Sequence, residues 1–341
     1  MGTRRRQVLA YTLAGLVAGG LTVLAWFHRR QLRSALDTLA HLHWGWVPLA
    51  VLAESGSMVA LARNQRQLLT VRGDTLQLRS AVAVVYASNA LALSVPVAGA
   101  GIGAGFSFRQ FRSRGVHPGM VGWALTVSGV MSALSFALVV AVGAGISGNS
   151  AAITLGLTGA AVGTLPVLVL LAAVRSARLR ARLLRGANAA VGWSHRVLRF
   201  PRTDAIAELE EILDRVGDVR ATPWQYTVAF SLSLRNWAGD LLCLLFSIKA
   251  SGSPTVPWHG LILAYCVAVT AGGTGLTPGG IGVVEATLTA GLVAAGMPAK
   301  YALSSVIVYR LISLWLVVAI GWLIAVRISG GRGRGPQPPD R

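Results

Sequence analysis

The sequence predicts an all-α polytopic membrane protein, with about six spanning helices and two re-entrant helical hairpins arranged as inverted repeats. Three observations carry that prediction. Hydrophobic residues make up 54% of the 341-residue chain and charged ones 13%, where a soluble domain carries about 25% charged. Several apolar runs reach the length of about 20 residues that a helix needs to cross a bilayer. Two shorter runs end in glycine- and proline-rich breaks of similar sequence. The same composition excludes a disordered chain, a disulfide scaffold and a cytosolic enzyme.

The first segment, Met1 to Phe27, opens with Arg4, Arg5 and Arg6, followed by about twenty apolar residues. Its apolar stretch is too long for a typical signal-peptide core and lacks a clean cleavage site, so it reads as a retained span. Trp44–Ala62, Met120–Ile146, Ala151–Val174, Pro223–Ile248 and Tyr301–Val326 complete the six. Ala81–Val97 and Trp258–Thr274 are short, and Val283–Ala295, with thirteen residues, cannot cross unaided.

Basic residues outnumber acidic ones 31 to 12, a formal charge of +19, and all but Lys249 and Lys300 are arginine. No nucleic-acid partner is expected. The arginines sit between apolar runs, where positive charge holds helix ends at an anionic cytoplasmic surface. Arg63, Arg66, Arg72 and Arg79 flank one side of the Ala81 run and Arg109, Arg112 and Arg114 the other, so both its ends read as cytoplasmic. The uncharged Ser147–Ser150 loop reads as external. Arg175–Arg220 and the tail from Arg327 read as cytoplasmic, which puts both termini inside and makes Trp258–Ala295 a hairpin entered from outside. Arg29, Arg30 and Arg33 fall outside in this scheme, against the rule.

The expected domains are an N-terminal span and loop (1–43), a first membrane repeat (44–174), a cytoplasmic linker (175–222), a second, inverted repeat (223–327) and a disordered cytoplasmic tail (328–341). In the linker, Ile206, Leu209, Leu213 and Val216 recur at helical spacing, with Thr203 or Asp204 as cap and Gly217 as stop. An amphipathic helix at the membrane surface and a partner-binding helix are both consistent with it.

The two breaks repeat. Tyr86, Pro96, Gly101-Ile102-Gly103 and Gly115-Val116-His117-Pro118 correspond to Tyr265, Pro278, Gly280-Ile281-Gly282 and Gly296-Met297-Pro298. The tyrosines and the Gly-Ile-Gly elements are 179 residues apart, the closing prolines 180, and Pro96 and Pro278 are out of step at 182. Inverted repeats around broken helices are the usual build of secondary transporters, whose substrate site lies near the midplane. Irregular backbone at that depth is tolerated only in protein or beside a wet cavity. A polar cavity bounded by the two tips is therefore expected.

Ionisable residues inside the runs are Glu54, Arg235, Asp240, Glu285 and Arg310. Such residues are costly in lipid and mark functional sites. Glu285 follows Pro278-Gly279-Gly280-Ile281-Gly282 and sits in the first turn of a short helix, where the positive terminus favours a carboxylate. The amides of Gly279, Gly280 and Gly282 there suit an anionic group such as phosphate. A guanidinium at Arg310 or Arg235 suits bidentate phosphate binding. Two readings stand side by side: these are substrate-binding residues, or Glu285–Arg310 and Asp240–Arg235 or Asp240–Arg310 are structural ion pairs. Glu54 reads as structural, and Arg109, at the end of the first hairpin, is a further substrate-binding candidate or a topology anchor.

Cys243 and Cys266 fall inside apolar runs and read as core. Trp26, Trp44, Trp46, Trp123, Trp224, Trp258 and Trp322 read as an aromatic belt. His41 and His43 lack nearby acids, so no metal is expected, and no nucleophile-elbow, Walker or zinc-protease motif is present. No cofactor and no enzymatic activity are expected.

At Thr277-Pro278-Gly279-Gly280-Ile281-Gly282-Val283-Val284-Glu285-Ala286, then Gly296-Met297-Pro298 and Tyr309-Arg310-Leu311, the chain resembles the flippase-like membrane region of lysylphosphatidylglycerol synthase, also found as stand-alone proteins. The resemblance implies a multi-pass protein of the bacterial cytoplasmic membrane that moves lipids between leaflets, with Glu285 and Arg310 as the positions carried over and Arg109 as the trailing arginine of the first hairpin. The family pattern there, PGRxGE, is replaced by Gly99 to Phe108, with Phe106 in place of the acid. About fifteen residues follow the last span, so lysyl transfer is not expected. The implied partner is a phospholipid or lipid-linked substrate. A small-solute or ion-coupled transporter and a scaffold for a separate lipid-modifying enzyme are the alternatives, and a homo-oligomer stays open.

Overall fold

The computed structural model describes residues 42–71, 73, 75–147 and 221–330. The expected spans Met1–Phe27 and Ala151–Val174, nearly all of the linker and the tail from 331 lie outside the described residues. Within them the chain is all-α, without a strand. A short turn, Trp44–Trp46, leads into α1 (Val47–Leu69), with Pro48 in the first turn, where a missing N–H costs nothing. Then follow α2 (Leu78–Ser94), α3 (Gly99–Arg112) and α4 (Pro118–Ser147). The second half holds α5 (Pro223–Ala250), α6 (Trp258–Gly272), α7 (Val283–Ala294), α8 (Ala299–Arg310) and α9 (Val317–Gly330). A π-helical turn, Leu311–Leu316, joins α8 to α9.

Among the described residues three helices are long and apolar enough to cross a membrane: Trp44–Leu69 with 26 residues, and Pro118–Ser147 and Ala299–Ile328 with 30 each. Helix α5 has the length, 28 residues, but Arg235, Asp240 and Lys249 dilute its apolarity. On α4, Leu134, Leu138, Val142 and Ile146 are exposed at four-residue spacing, which lines them up on one helical face turned away from the protein. Trp44, Trp46, Trp224 and Trp258, near helix starts, are likewise exposed. Trp123 departs from the expected belt: it is buried in the core, because Gly119 to Ala124 turns into the packing against α1 and α3. Trp322 also turns inward, its indole N–H donating to Ser94 at 3.0 Å. Both cysteines are buried and unpaired, as expected.

The order of elements repeats: a long helix, a two-helix hairpin, a long helix. Helix α2 packs along α3, and α6 along α7. The halves interlock, since α9 covers α2 of the first hairpin and α4 covers α6 of the second. The axis of the assembly is the α1–α5 pair. There Ser57 and Asn236, 179 residues apart, bond reciprocally: Ser57 Oγ donates to the Asn236 carbonyl at 2.9 Å, and Asn236 Nδ2 donates to the Ser57 carbonyl at 3.1 Å. That separation equals the spacing of Tyr86 and Tyr265, so α1 and α5 meet at equivalent residues. Gly239 makes the close approach possible; a Cβ there would stand 2.9 Å from Ser57 Cβ and 3.0 Å from the Ala53 carbonyl. Such small-residue contacts and interhelical hydrogen bonds replace the hydrophobic effect, which gains nothing between helices in lipid. Asn64 adds another, donating to Ser233 at 2.8 Å.

Candidate functional site

The tips of the two hairpins touch. Val97, at the turn from α2 to α3, donates its N–H to the carbonyl of Gly275 at 2.8 Å. Val97 holds a φ of +57°, a conformation that a β-branched residue adopts only under constraint. It is 84% exposed, and Leu276, 179 positions on, is 72% exposed. Two apolar side chains thus stand out together from the junction of the tips.

The second tip is built by glycines that no other residue replaces freely. Gly279 has a φ of +56°, and a Cβ on it would lie 2.6 Å from Leu314 Cδ1. Gly282 caps α7 at φ +86°. Because it has no side chain to cap with, Glu285 reaches back and Oε2 accepts the Gly282 N–H at 2.6 Å, the return half of a capping box. Glu285 Oε1 accepts from Arg310 Nε at 2.7 Å, with the two side chains 28% and 11% exposed. Arg310 Nη2 donates to the Gly279 carbonyl at 2.5 Å. Gly279, Gly282, Glu285 and Arg310 therefore form one knot, with Gly280 buried beneath it against Gly272 and Val284. The knot ties the hairpin tip to the end of α8, where the helix gives way to the π turn. π turns interrupt regular hydrogen bonding and recur at functional sites.

The structure brings Glu285 and Arg310 together as the ion-pair reading anticipated. The amide of Gly282, expected as part of an anion cradle, is occupied by Glu285 itself. Asp240 departs from expectation: it pairs with neither Arg235 nor Arg310. Its Oδ2 accepts from the Tyr265 hydroxyl at 2.8 Å and its Oδ1 from the Tyr309 hydroxyl at 2.9 Å. Arg235 is exposed on α5, and so is Arg109 on α3; neither joins the knot. Arg235 sits five residues before Asp240 and projects from a different side of the helix, which keeps the two apart.

Sequence reasoning missed Tyr265, Tyr309 and Glu54 as one group. Glu54 is 4% exposed on α1 and lies against Asp240. Tyr265 was visible only as a repeat marker and Tyr309 only as the neighbour of Arg310. The groups come from α1, α5, α6 and α8, and no local spacing links them.

Residues 9–321 match the family described as the lysylphosphatidylglycerol synthase TM region. The chain belongs to this family. A stretch of 103 residues is also 32% identical to a protein described as a UPF0104 membrane protein, from Methanothermobacter thermautotrophicus; it covers 30% of each chain. The matched stretch thus spans under a third of that relative. Family and helices together make this a helical membrane protein of a lipid-related family. As a member of the lysylphosphatidylglycerol synthase TM region family it carries the Pro-Gly-Gly-Ile-Gly tip bonded to Arg310 of the Tyr-Arg pair, Tyr309 turning instead to Asp240, while its first hairpin carries Phe106 where the second has Glu285.

Proposed function

We propose that this protein moves a phospholipid or lipid-linked headgroup between leaflets of the cytoplasmic membrane, by alternating access around two re-entrant hairpins. In this reading the two halves insert with opposite orientation, both termini are cytoplasmic and the basic segments rest on the anionic inner surface. The observation that carries the proposal is the knot at the second tip. Arg310 and Glu285 are a cation and an anion at the junction of two broken helices, each held by backbone groups of the same tip. A zwitterionic headgroup offers the complementary pair. Its phosphate replaces Glu285 on the Arg310 fork, and its cationic end takes Glu285. Charge stays balanced throughout the swap, so no lone ion is left in a low-dielectric site.

Acyl chains stay in lipid and slide past the exposed Val97 and Leu276, while only the headgroup enters the protein. Opening requires the Val97–Gly275 contact to part, and the π turn after Arg310 supplies the hinge. Leaflet exchange of fluorescent phospholipids in proteoliposomes tests this reading, against empty vesicles and the Glu285→Gln protein. Exchange faster than in empty vesicles and lost in Glu285→Gln is the expected result. A folded protein that exchanges none of a panel of headgroups overturns lipid movement in favour of a small-solute carrier or a scaffold for a lipid-modifying enzyme.

A further inference from the structure

A second polar centre lies one residue away from the knot along α8. Both carboxylate oxygens of Asp240 are engaged by hydroxyl donors, Tyr265 at 2.8 Å and Tyr309 at 2.9 Å. Glu54 meets Asp240 from α1, and Glu54 Oε2 is buried without a hydrogen-bond donor. The other titratable groups facing the pair are Tyr86 from α2, which bonds Ser55, Cys243 from α5, Cys266 beside Tyr265 on α6, and Arg310 from α8. Arg310 is the one cation among them, and its bonds go to Glu285 and Gly279. Two touching carboxyls, Glu54 buried and Asp240 half-buried, thus meet without a cation of their own.

Like charges this close disfavour double ionisation. One proton between the carboxyls removes the repulsion and supplies the donor that Glu54 lacks. A metal ion fits less well: the tyrosines aim hydrogens rather than lone pairs at Asp240, and the described residues hold no cluster of three or more ligating side chains.

We propose that Glu54 and Asp240 form a proton-binding site, and that release and rebinding of its single proton is the ion-coupled step of the lipid movement proposed above, on which the coupling part rests. With the proton bound the pair carries one negative charge; with it released, two. Tyr309 transmits the change. Its hydroxyl reads the charge on Asp240, and the next residue, Arg310, grips the hairpin tip. The pair sits where α1, α5 and α8 meet, so the two halves sense the same proton. Tyr86 and Tyr265, equivalent in the repeat, flank it from the two hairpins.

Two measurements test this separately. Infrared difference spectra of the purified protein between low and high pH read the proton directly. The wild type shows the carbonyl stretch of a protonated carboxylic acid that Glu54→Gln and Asp240→Asn lack, with folding checked by circular dichroism and gel filtration. Absence of that band in the wild type, or its persistence in both variants, overturns the site whether or not lipid moves. In proteoliposomes, an imposed gradient of one pH unit shifts the steady-state leaflet ratio of a labelled phospholipid by up to about tenfold for one proton per lipid, and a protonophore removes the shift. In Glu54→Gln the gradient shifts no leaflet ratio. Wild-type exchange that ignores the gradient, or that follows sodium instead, overturns the coupling. Absence of any wild-type exchange overturns the transport reading and the coupling with it, while the infrared result still decides the site.

Discussion

The two hairpins have the same topology and opposite chemistry at equivalent positions. In the second, Glu285 and Arg310 bind the tip to α8 through an ion pair and two backbone hydrogen bonds. The positions 179 residues earlier are Phe106 and Met131. Phe106 is buried with Ala87 and Ala325, where Leu91, Trp322 and Ile324 close over the cluster. The first hairpin is therefore held to α9 by apolar contact and one neutral hydrogen bond, Trp322 to Ser94, and the second by a charged lock. A polar lock breaks when a better-matched pair of charges arrives; an apolar contact has no such trigger. In the function proposed above, the difference makes the second hairpin the moving part and the first the fixed platform.

The largest effect is expected from putting charge into the apolar side. Phe106→Glu places a carboxylate at a buried site with methionine rather than arginine at position 131, and costs several kcal/mol, on the order of 3–5; loss of folded yield in detergent reads it. Phe106→Leu stays within about 1.5 kcal/mol, and its exchange rate is unchanged if that hairpin is only a platform. Arg310→Ala leaves Glu285 without its cation and costs about 3 kcal/mol, seen as a lowered unfolding temperature, and abolishes leaflet exchange. Gly279→Ala strains a positive φ and meets Leu314, at about 1–3 kcal/mol; retention of wild-type stability there shows that the tip is slack. The smallest effect is a gain. Val97→Gly relieves backbone strain of about 1 kcal/mol, and an unchanged unfolding temperature denies the strain.

The repeat, the break positions and the Glu285–Arg310 pair were legible because each is written in local sequence. Glycine at positive φ, a carboxylate three residues into a helix and an arginine after tyrosine leave short-range marks. The spacing of 179 proved more informative than its motifs, since it also relates Ser57 to Asn236, which no motif singles out. The environment of Asp240 was not legible. Its partners are 25 and 69 residues away, and an arginine nearby in sequence drew the expectation toward an ion pair. Trp123 misled for a similar reason: closeness to a helix start is shared by belt and core tryptophans, and only packing separates them.

The central claim is that the hairpin tips part during lipid movement. The Val97→Cys/Gly275→Cys protein tests it, because a Cβ built on Gly275 lies 3.8 Å from Val97 Cα, close enough for a disulfide. The native cysteines are buried and do not compete. In proteoliposomes, oxidation is expected to stop leaflet exchange and reduction to restore it. Exchange that continues at the same rate through a fully formed cross-link would contradict the account.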